Sequence, residues 1–315
     1  MAAINSAAAI ILGIRLLIGQ TCAIFPAIVL HSTLILGLRL FAHLPLPLVH
    51  LLGTSLGILS LLRTRQRRLI ADNLRQAGLY SFPMLVAAGR EWGKSMLEMF
   101  PIWLRPLEEA TSWVREIRGW EHVEAARARG RGMVLLGPHL GCLELAGLTI
   151  AARLPVTALY RRPRQDWAHE IMQAGRNRGQ AHMVEPNMRG VRALLTALNR
   201  NEAAWVLPDQ KANKGEGIWL KFFGRWAYMP TLPYRLIEST DAAPMLFHCE
   251  RLSWGRGFRL VIEPLSPLPD DMSEAGQQLI AALEDLVRQH PEQYLWTYRI
   301  HRLLIGEVTP DGETV

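Results

Sequence analysis

Cysteine is scarce in this 315-residue chain, which has three: Cys22, Cys142 and Cys249. No two of them form a CxxC pair, so the sequence contains neither a disulfide framework nor a readable zinc site. Isolated cysteines of this kind suit a reducing compartment. We therefore expect no metal and no tightly bound cofactor.

Charge is absent from the 23 residues between Arg15 and Arg39. As a helix, such a run is long enough to cross the roughly 30 Å hydrocarbon core of a bilayer. A signal peptide would be shorter and followed by polar sequence, whereas this chain stays apolar to Leu62. We predict a retained membrane-spanning helix rather than a signal peptide or a buried core helix. The second apolar run contains Pro45 and Pro47, so we expect it to lie in the interface or to pack on the protein.

Basic residues outnumber acidic ones, which gives a net charge of +7 and a pI of about 9.7. Nucleic acid, an acidic membrane, an acidic substrate or a solvated surface without a partner would each account for this excess. No nucleic-acid-binding signature is present, so we expect no nucleic acid and favour anionic lipid. The arginines at 63–68 place the rest of the chain in the cytoplasm by the positive-inside rule. The predicted organisation is an anchor and interfacial segment at 1–62 and a cytoplasmic domain at 63–315.

The apolar pattern downstream of the anchor predicts helices first and then an alternation of strands and helices. Two helical segments, 67–79 and 83–100, come before the change near Trp113. Beyond it the pattern predicts strands at 133–137, 156–160, 203–208, 243–249 and 258–264, and helices at 122–130, 143–154, 167–179 and 188–202. This alternation predicts an α/β fold with a mixed sheet flanked by helices. Ligand sites in such folds gather at the carboxyl ends of strands.

The stretch "GPHLGCLE" puts His139 and Glu144 between a predicted strand and a predicted helix. With the histidine in the loop and the glutamate in the first helical turn, the two side chains can meet. We predict that Glu144 accepts a hydrogen bond from one imidazole nitrogen and leaves the other as a general base. That base would deprotonate a hydroxyl attacking a thioester, and amides near the helix start would stabilise the oxyanion. On spacing alone, the commoner interpretation is a surface histidine and a glutamate that favours the helix dipole.

Two other strand ends carry candidate substrate-binding residues. The stretch "LYRRPRQDW" places Arg161, Arg162 and Arg164 just past a strand, where they suit a phosphate or a carboxylate. A solvated basic loop is the alternative. Asp209, in "VLPDQ", would orient a basic group or the acceptor, although an aspartate here also suits a simple turn.

Two further nucleophile patterns are interpreted as packing. The stretch "GTSLG" at 53–57 matches the G-x-S-x-G pattern, but Ser55 lies inside the second apolar segment rather than between a strand and a helix. Cys142 lies within the histidine motif, and we interpret it as a small apolar filler rather than a nucleophile.

The motifs taken together resemble those of the lipid A biosynthesis lauroyl/myristoyl acyltransferases, a family of membrane-anchored H-x4-E enzymes. The ordered set comprises "RRLIADNL", "ARGRGMVLLGPHLGCLE", "YRRP", "PDQ", "GIWLKFFG" and "PEQYLWTYRIHR". The resemblance implies a glycerolipid-acyltransferase-like fold, an acyl donor on acyl carrier protein and a Kdo-bearing glycolipid acceptor in the inner membrane. It also implies His139 as the base, Glu144 as its partner, and functional roles for Arg161 and Asp209.

The expected function is acyl transfer from an acyl thioester to a hydroxyl of a lipid A precursor at the cytoplasmic face of the inner membrane. Three alternatives stay open. In the first, the protein is an acyltransferase whose acceptor is another glycolipid or an aminolipid. In the second, it is a hydrolase in which water replaces the acceptor hydroxyl. The third is a non-catalytic protein that binds anionic lipid, which would explain the anchor and the charge without the histidine.

Overall fold

The structure is a computed structural model that describes residues 35–163, 165–303 and 307–314. Packing divides the chain into two units, Met1–Leu44 and Pro45–Val315. The spanning helix predicted between Arg15 and Arg39 lies mostly outside the described residues. The first described residues, 35–42, are helical. In the described part, no single helix combines the length and hydropathy needed to cross a membrane. Two consecutive helices, Leu46–Ser60 and Thr64–Gln76, meet those criteria only as a pair, and they are bent by 96°.

Four helices open the larger unit: α1 (Leu46–Ser60), α2 (Thr64–Gln76), α3 (Phe82–Leu104) and α4 (Leu107–Thr111). α1 crosses α3 where Gly53 and Gly57 face Gly89 and Gly93. A Cβ atom on Gly93 would lie 2.0 Å from the carbonyl oxygen of Gly53, so only glycine allows the two backbones to approach this closely.

α1 comes from the second apolar run of the sequence. Its Val49 and His50 are buried against the protein, whereas Leu51 and Leu59 are exposed. The run therefore packs on the protein with one face, and the unit boundary lies between residues 44 and 45, inside the segment 1–62 that the sequence assigned to the anchor.

A mixed sheet forms the centre of this unit, and a hairpin lies apart from it. The strands are β1 (Val114–Arg118), β2 (Met133–Leu136), β3 (Val156–Leu159), β4 (Ala181–Val184), β5 (Ala203–Val206), β6 (Gly217–Phe222), β7 (Arg225–Pro230), β8 (Ala243–Arg251) and β9 (Phe258–Pro264). The sheet order is β1-β9-β8-β2-β5-β3-β4, and β6 pairs with β7. Within the sheet, β8 and β9 are antiparallel and the other neighbours are parallel.

The remaining helices are α5 (Trp120–Ala128), α6 (Leu143–Ala151), α7 (Asp166–Arg176), α8 (Met188–Asn199), α9 (Leu232–Ser239) and α10 (Met272–Gln289). The predicted α/β fold with a mixed sheet is confirmed, and each strand and helix predicted downstream of the anchor is present with ends shifted by a few residues. Sequence reasoning missed β1, β4, the β6–β7 hairpin and the helices α4, α9 and α10. β1 reads "VREIR", and β1 and β4 are the two edge strands, so neither has the continuous apolar run of a central strand.

The order of the central strands explains how distant residues meet. β2, β5 and β3 are parallel neighbours, so their carboxyl ends lie at one edge of the sheet. His139 follows β2, Asp209 follows β5 and Arg161 follows β3. Three candidate residues from separate parts of the sequence are thereby brought to one edge.

Candidate active site

The loop that carries His139 is fixed by its own backbone. Gly141 has φ of +67°, and a Cβ atom there would lie 2.0 Å from the carbonyl oxygen of Cys249. The loop also forms bridges with two other segments, Leu140 with Tyr294 and Gly141 with Cys249. Only glycine fits at position 141, because of its positive φ and its close approach to Cys249. Together with the two bridges, this fixes the conformation of the loop.

Asp209 is the carboxylate that meets the imidazole. Its Oδ1 lies 2.7 Å from His139 Nδ1, and its Oδ2 accepts from the His139 backbone N–H at 2.7 Å. The side chain of Asp209 is about 1% exposed, whereas that of His139 is 21% exposed. A carboxylate on Nδ1 requires the proton on that nitrogen, so Nε2 carries the lone pair that can accept a proton.

The prediction that Glu144 accepts from the imidazole is wrong, because its oxygens are engaged elsewhere. Oε2 accepts from Trp103 Nε1 at 2.7 Å and from Arg176 Nε at 2.9 Å. Arg176 Nη2 donates to Oε1 and completes a forked pair. Burial raises the pKa of Glu144, but the Arg176 charge and these hydrogen bonds outweigh burial and hold the pKa below its usual value. Glu144 is therefore an ionised anchor for Arg176.

Arg176 is a site residue that sequence reasoning missed. It lies in the last turn of α7, 32 residues from Glu144. Its guanidinium lies 5.7 Å from the ring centre of Trp103 and 5.5 Å from that of Tyr160. In the sequence, Arg176 is a single basic residue near the C-terminus of a helix. Basic residues are common there because they interact favourably with the helix dipole, so no local signal distinguishes Arg176 as a site residue.

The three predicted arginines have different positions. Arg161 is exposed and lines the same cavity as His139. Arg162 donates to Asp166 Oδ1 at 2.7 Å, an exposed pair of a kind that contributes little to stability. Arg164 lies outside the described residues.

A cavity of about 1340 Å³ lies at the carboxyl ends of the strands, where these residues meet. Its polar lining includes His139, Glu144, Arg161, Arg176, Gln210, Lys211 and Arg235. Its apolar lining includes Leu148, Leu159, Met183, Val191, Leu195, Trp205, Val206, Leu232, Leu236 and Met272. A largely apolar cavity with arginine and lysine side chains in its lining suits a ligand that combines a hydrocarbon chain with a phosphate.

A buried ion pair supports the His139 loop from below. Arg251 Nε lies 2.9 and 2.8 Å from the two carboxylate oxygens of Glu98, and His50 Nε2 lies 3.1 Å from Oε2. Arg251 Nη2 donates to the carbonyl oxygen of Gly141 at 2.8 Å. Burial raises the pKa of Glu98, but Arg251 and His50 outweigh burial and bring it to about 2. The loop therefore lies on a charged pair that stays ionised.

Cys142 is buried, and the pKa of its thiol is raised well above the usual value by burial and then by the charge of Glu98. A thiol that resists deprotonation is a poor nucleophile. The geometry supports the interpretation of Cys142 as a filler.

Comparison with known proteins identifies the family. The sequence profile of the family described as "Bacterial lipid A biosynthesis acyltransferase" matches residues 19–304. The chain is 28% identical over 274 residues to the lipid A biosynthesis palmitoleoyltransferase of Escherichia coli (strain K12). This alignment covers 83% of this chain and 87% of that protein. It is 27% identical to the lipid A biosynthesis lauroyltransferase of the same strain, over 83% of this chain and 88% of that protein. A phosphatidylinositol mannoside acyltransferase of Mycobacterium tuberculosis (strain CDC 1551 / Oshkosh) is 26% identical over 67% of this chain and 68% of its own length. The chain belongs to the bacterial lipid A biosynthesis acyltransferase family and is an acyltransferase.

Proposed function

We propose that the protein transfers a fatty acyl chain from acyl carrier protein to a hydroxyl of a Kdo-bearing lipid A precursor at the cytoplasmic face of the inner membrane. The observation that carries this proposal is the His139–Asp209 pair at 2.7 Å, next to an apolar cavity with basic residues in its lining. The family supports acyl transfer in lipid A biosynthesis. The identity of the acyl donor, the acceptor hydroxyl and the membrane location go beyond the family and are our proposal.

In the proposed reaction, His139 Nε2 takes the proton of the acceptor hydroxyl while the hydroxyl oxygen attacks the thioester carbonyl carbon. The carbon–sulfur bond then breaks, and the imidazolium returns its proton to the leaving thiolate. Asp209 keeps the reactive tautomer and stabilises the imidazolium, the role of the aspartate in a catalytic triad. No step requires a covalent acyl-enzyme.

The other charged residues of the site are proposed to bind substrate or to position a binding residue rather than to react. We assign Arg161 to a phosphate of the donor or acceptor, since it is exposed and lines the cavity. Glu144 anchors Arg176, whose guanidinium lies near the rings of Trp103 and Tyr160 and lines the same cavity. Arg162 and Arg164 are proposed to assist Arg161.

The membrane location is supported by two sequence features and one structural feature. The charge-free run before Arg39 has the length of a membrane span, and four arginines at 63–68 follow the apolar region. In the structure, α1 exposes Leu51 and Leu59 on the face opposite its buried residues. Apolar side chains beside basic residues suit an anionic membrane surface.

A donor comparison tests the proposal. The purified full-length protein is assayed with acyl carrier protein and coenzyme A thioesters of the same chain, across a salt series. Because acyl carrier protein is acidic and this chain is basic, we expect a higher kcat/KM with the carrier, and an advantage that narrows with salt. His139→Ala is the inactive control. Equal rates at low salt would contradict the carrier as donor.

The similarity to a phosphatidylinositol mannoside acyltransferase favours a second candidate, another membrane glycolipid as acceptor. Mass spectrometry of total lipids from a deletion strain separates the two candidates. Loss of one acyl chain from lipid A supports the first. An unchanged lipid A beside an altered second glycolipid supports the other.

A further inference from the structure

Gln210 contacts the nitrogen that the proposed mechanism uses. Its side-chain nitrogen lies 3.0 Å from His139 Nε2. Because Asp209 holds the proton on Nδ1, Nε2 can only accept, and the side-chain amide of Gln210 must be the donor. The lone pair of the base is therefore occupied in the free protein by a neighbouring side chain.

The backbone amides closest to the base are already committed. The His139 N–H donates to Asp209 Oδ2 at 2.7 Å, and the Leu140 N–H to the Pro138 carbonyl at 2.7 Å. The Gly141 N–H donates to the Gln293 carbonyl at 3.1 Å, and the Cys142 N–H to the Cys249 carbonyl at 2.8 Å. The four amides of residues 139–142 are thus unsuited to bind the oxyanion, which leaves the first-turn amides of α6 and the side-chain amide of Gln210 as donors close to the base.

We propose that Gln210 is a catalytic residue with two successive partners: it caps His139 Nε2 in the free protein and donates to the thioester oxyanion during transfer. The acceptor hydroxyl takes the place of the amide on Nε2. The hydroxyl oxygen then bonds to the thioester carbonyl carbon, and the negative charge develops on the carbonyl oxygen of that same carbon. The displaced Gln210 amide therefore stays within one hydrogen-bond length of the oxyanion. Proton, acyl group and thiolate follow the reaction given above. The catalytic half of this inference rests on the proposed function, whereas the cap exists without any substrate.

The cap is tested on the substrate-free protein. Diethyl pyrocarbonate acylates an imidazole nitrogen that has a free lone pair, and peptide mass spectrometry measures the rate at His139 alone. Gln210→Ala should accelerate modification several-fold relative to the wild type. Gln180→Ala is the matched control, since Gln180 is exposed and precedes β4, at the amino-terminal ends of the parallel strands rather than at their carboxyl ends. An unchanged rate in Gln210→Ala would overturn the cap.

Catalysis is tested with the full-length enzyme, an acyl thioester and a lipid A precursor. Gln210→Ala should lower kcat roughly 10²–10³-fold, the usual effect of losing one oxyanion donor, while the KM for the acceptor stays within a few-fold. In Gln210→Glu, the carboxylate favours the protonated imidazole, so the acid limb of the kcat/KM profile should move to higher pH. Gln180→Ala and Gln180→Glu should match the wild type in both measurements.

Each failure has its own signature. A kcat for Gln210→Ala within threefold of the wild type, or an unmoved acid limb in Gln210→Glu, overturns the catalytic role. An inactive wild type with every lipid acceptor refutes the proposed function and the catalytic half together, whereas the modification rate still decides the cap. Thermal unfolding of each variant identifies a loss that comes from misfolding.

Discussion

At the scale of single residues, the two carboxylates of the site have separate tasks. Asp209 is almost fully buried and uses both oxygens on His139, one for the ring and one for the backbone. Glu144 uses both oxygens on Arg176 and Trp103. The H-x4-E motif therefore contains two residues with different partners, the proposed base His139 and a carboxylate that anchors Arg176, rather than one hydrogen-bonded pair.

Exchanging each carboxylate for its amide separates these tasks. Asp209→Asn should lower kcat by roughly 10²–10⁴-fold, because an amide no longer fixes the tautomer or stabilises the imidazolium. Glu144→Gln should act mainly on KM, because it weakens the hold on Arg176 and leaves the base intact. Steady-state kinetics of both variants make the comparison. A loss of kcat in Glu144→Gln as large as in Asp209→Asn would mean that Glu144 acts on the reacting atoms.

Sequence reasoning identified the residues of the site better than their partners. His139, Asp209 and Arg161 each follow a short apolar run, and the end of a strand is readable from such a run. That Asp209 meets His139 depends on β2 and β5 being neighbours in the sheet, a long-range fact across 70 residues. Glu144, five residues away, was the only partner that local spacing suggested.

At the scale of elements, three segments meet beside the loop that carries His139. α1 contributes His50, α3 contributes Glu98 and β8 contributes Arg251, and all three side chains are buried. Removing one member of a buried pair leaves its partner uncompensated, a change that typically costs 3–5 kcal/mol. The α1–α3 glycine contact and this ion pair together fix the position of α1.

Acid should weaken this junction in a defined range. The pKa of Glu98 is about 2 in the folded protein, below the ordinary value of 4.5. A lowered pKa stabilises the fold above pH 4.5, and that stabilisation, about 3 kcal/mol, is lost as the pH falls from 4.5 to 2. Denaturant unfolding of the wild type and Glu98→Gln should show a gap in unfolding free energy at pH 7 that narrows through this range. A gap that is the same at pH 7 and pH 3 would contradict the assignment.

At the scale of the whole molecule, the position of the unit boundary determines which truncations fold. The compact unit begins at Pro45 and includes α1, so a cut after residue 62 removes a helix that packs on α3. Such a cut uncovers the glycine surface of α3 and removes His50 from Glu98.

Two truncated chains test this boundary. Residues 45–315 should give a cooperative thermal transition in detergent, because the helix crossing and the ion pair remain complete. Residues 63–315 should aggregate or melt at lower temperature, because apolar surface on α3 is exposed. Calorimetry and limited proteolysis compare the two. A 63–315 fragment as stable as 45–315 would show that α1 is dispensable for folding.

The size of the cavity has a consequence for the order of events in turnover. About 1340 Å³ exceeds the usual ligand pocket of roughly 300–1,000 Å³. The Cys142 thiol is buried and hard to ionise, so it is a poor carrier for the acyl group. The direct transfer proposed above therefore requires both substrates to be bound at once. Initial rates at several fixed acceptor concentrations should give double-reciprocal lines that intersect. Parallel lines, the signature of a covalent intermediate and departure of the first product before the second substrate binds, would exclude direct transfer.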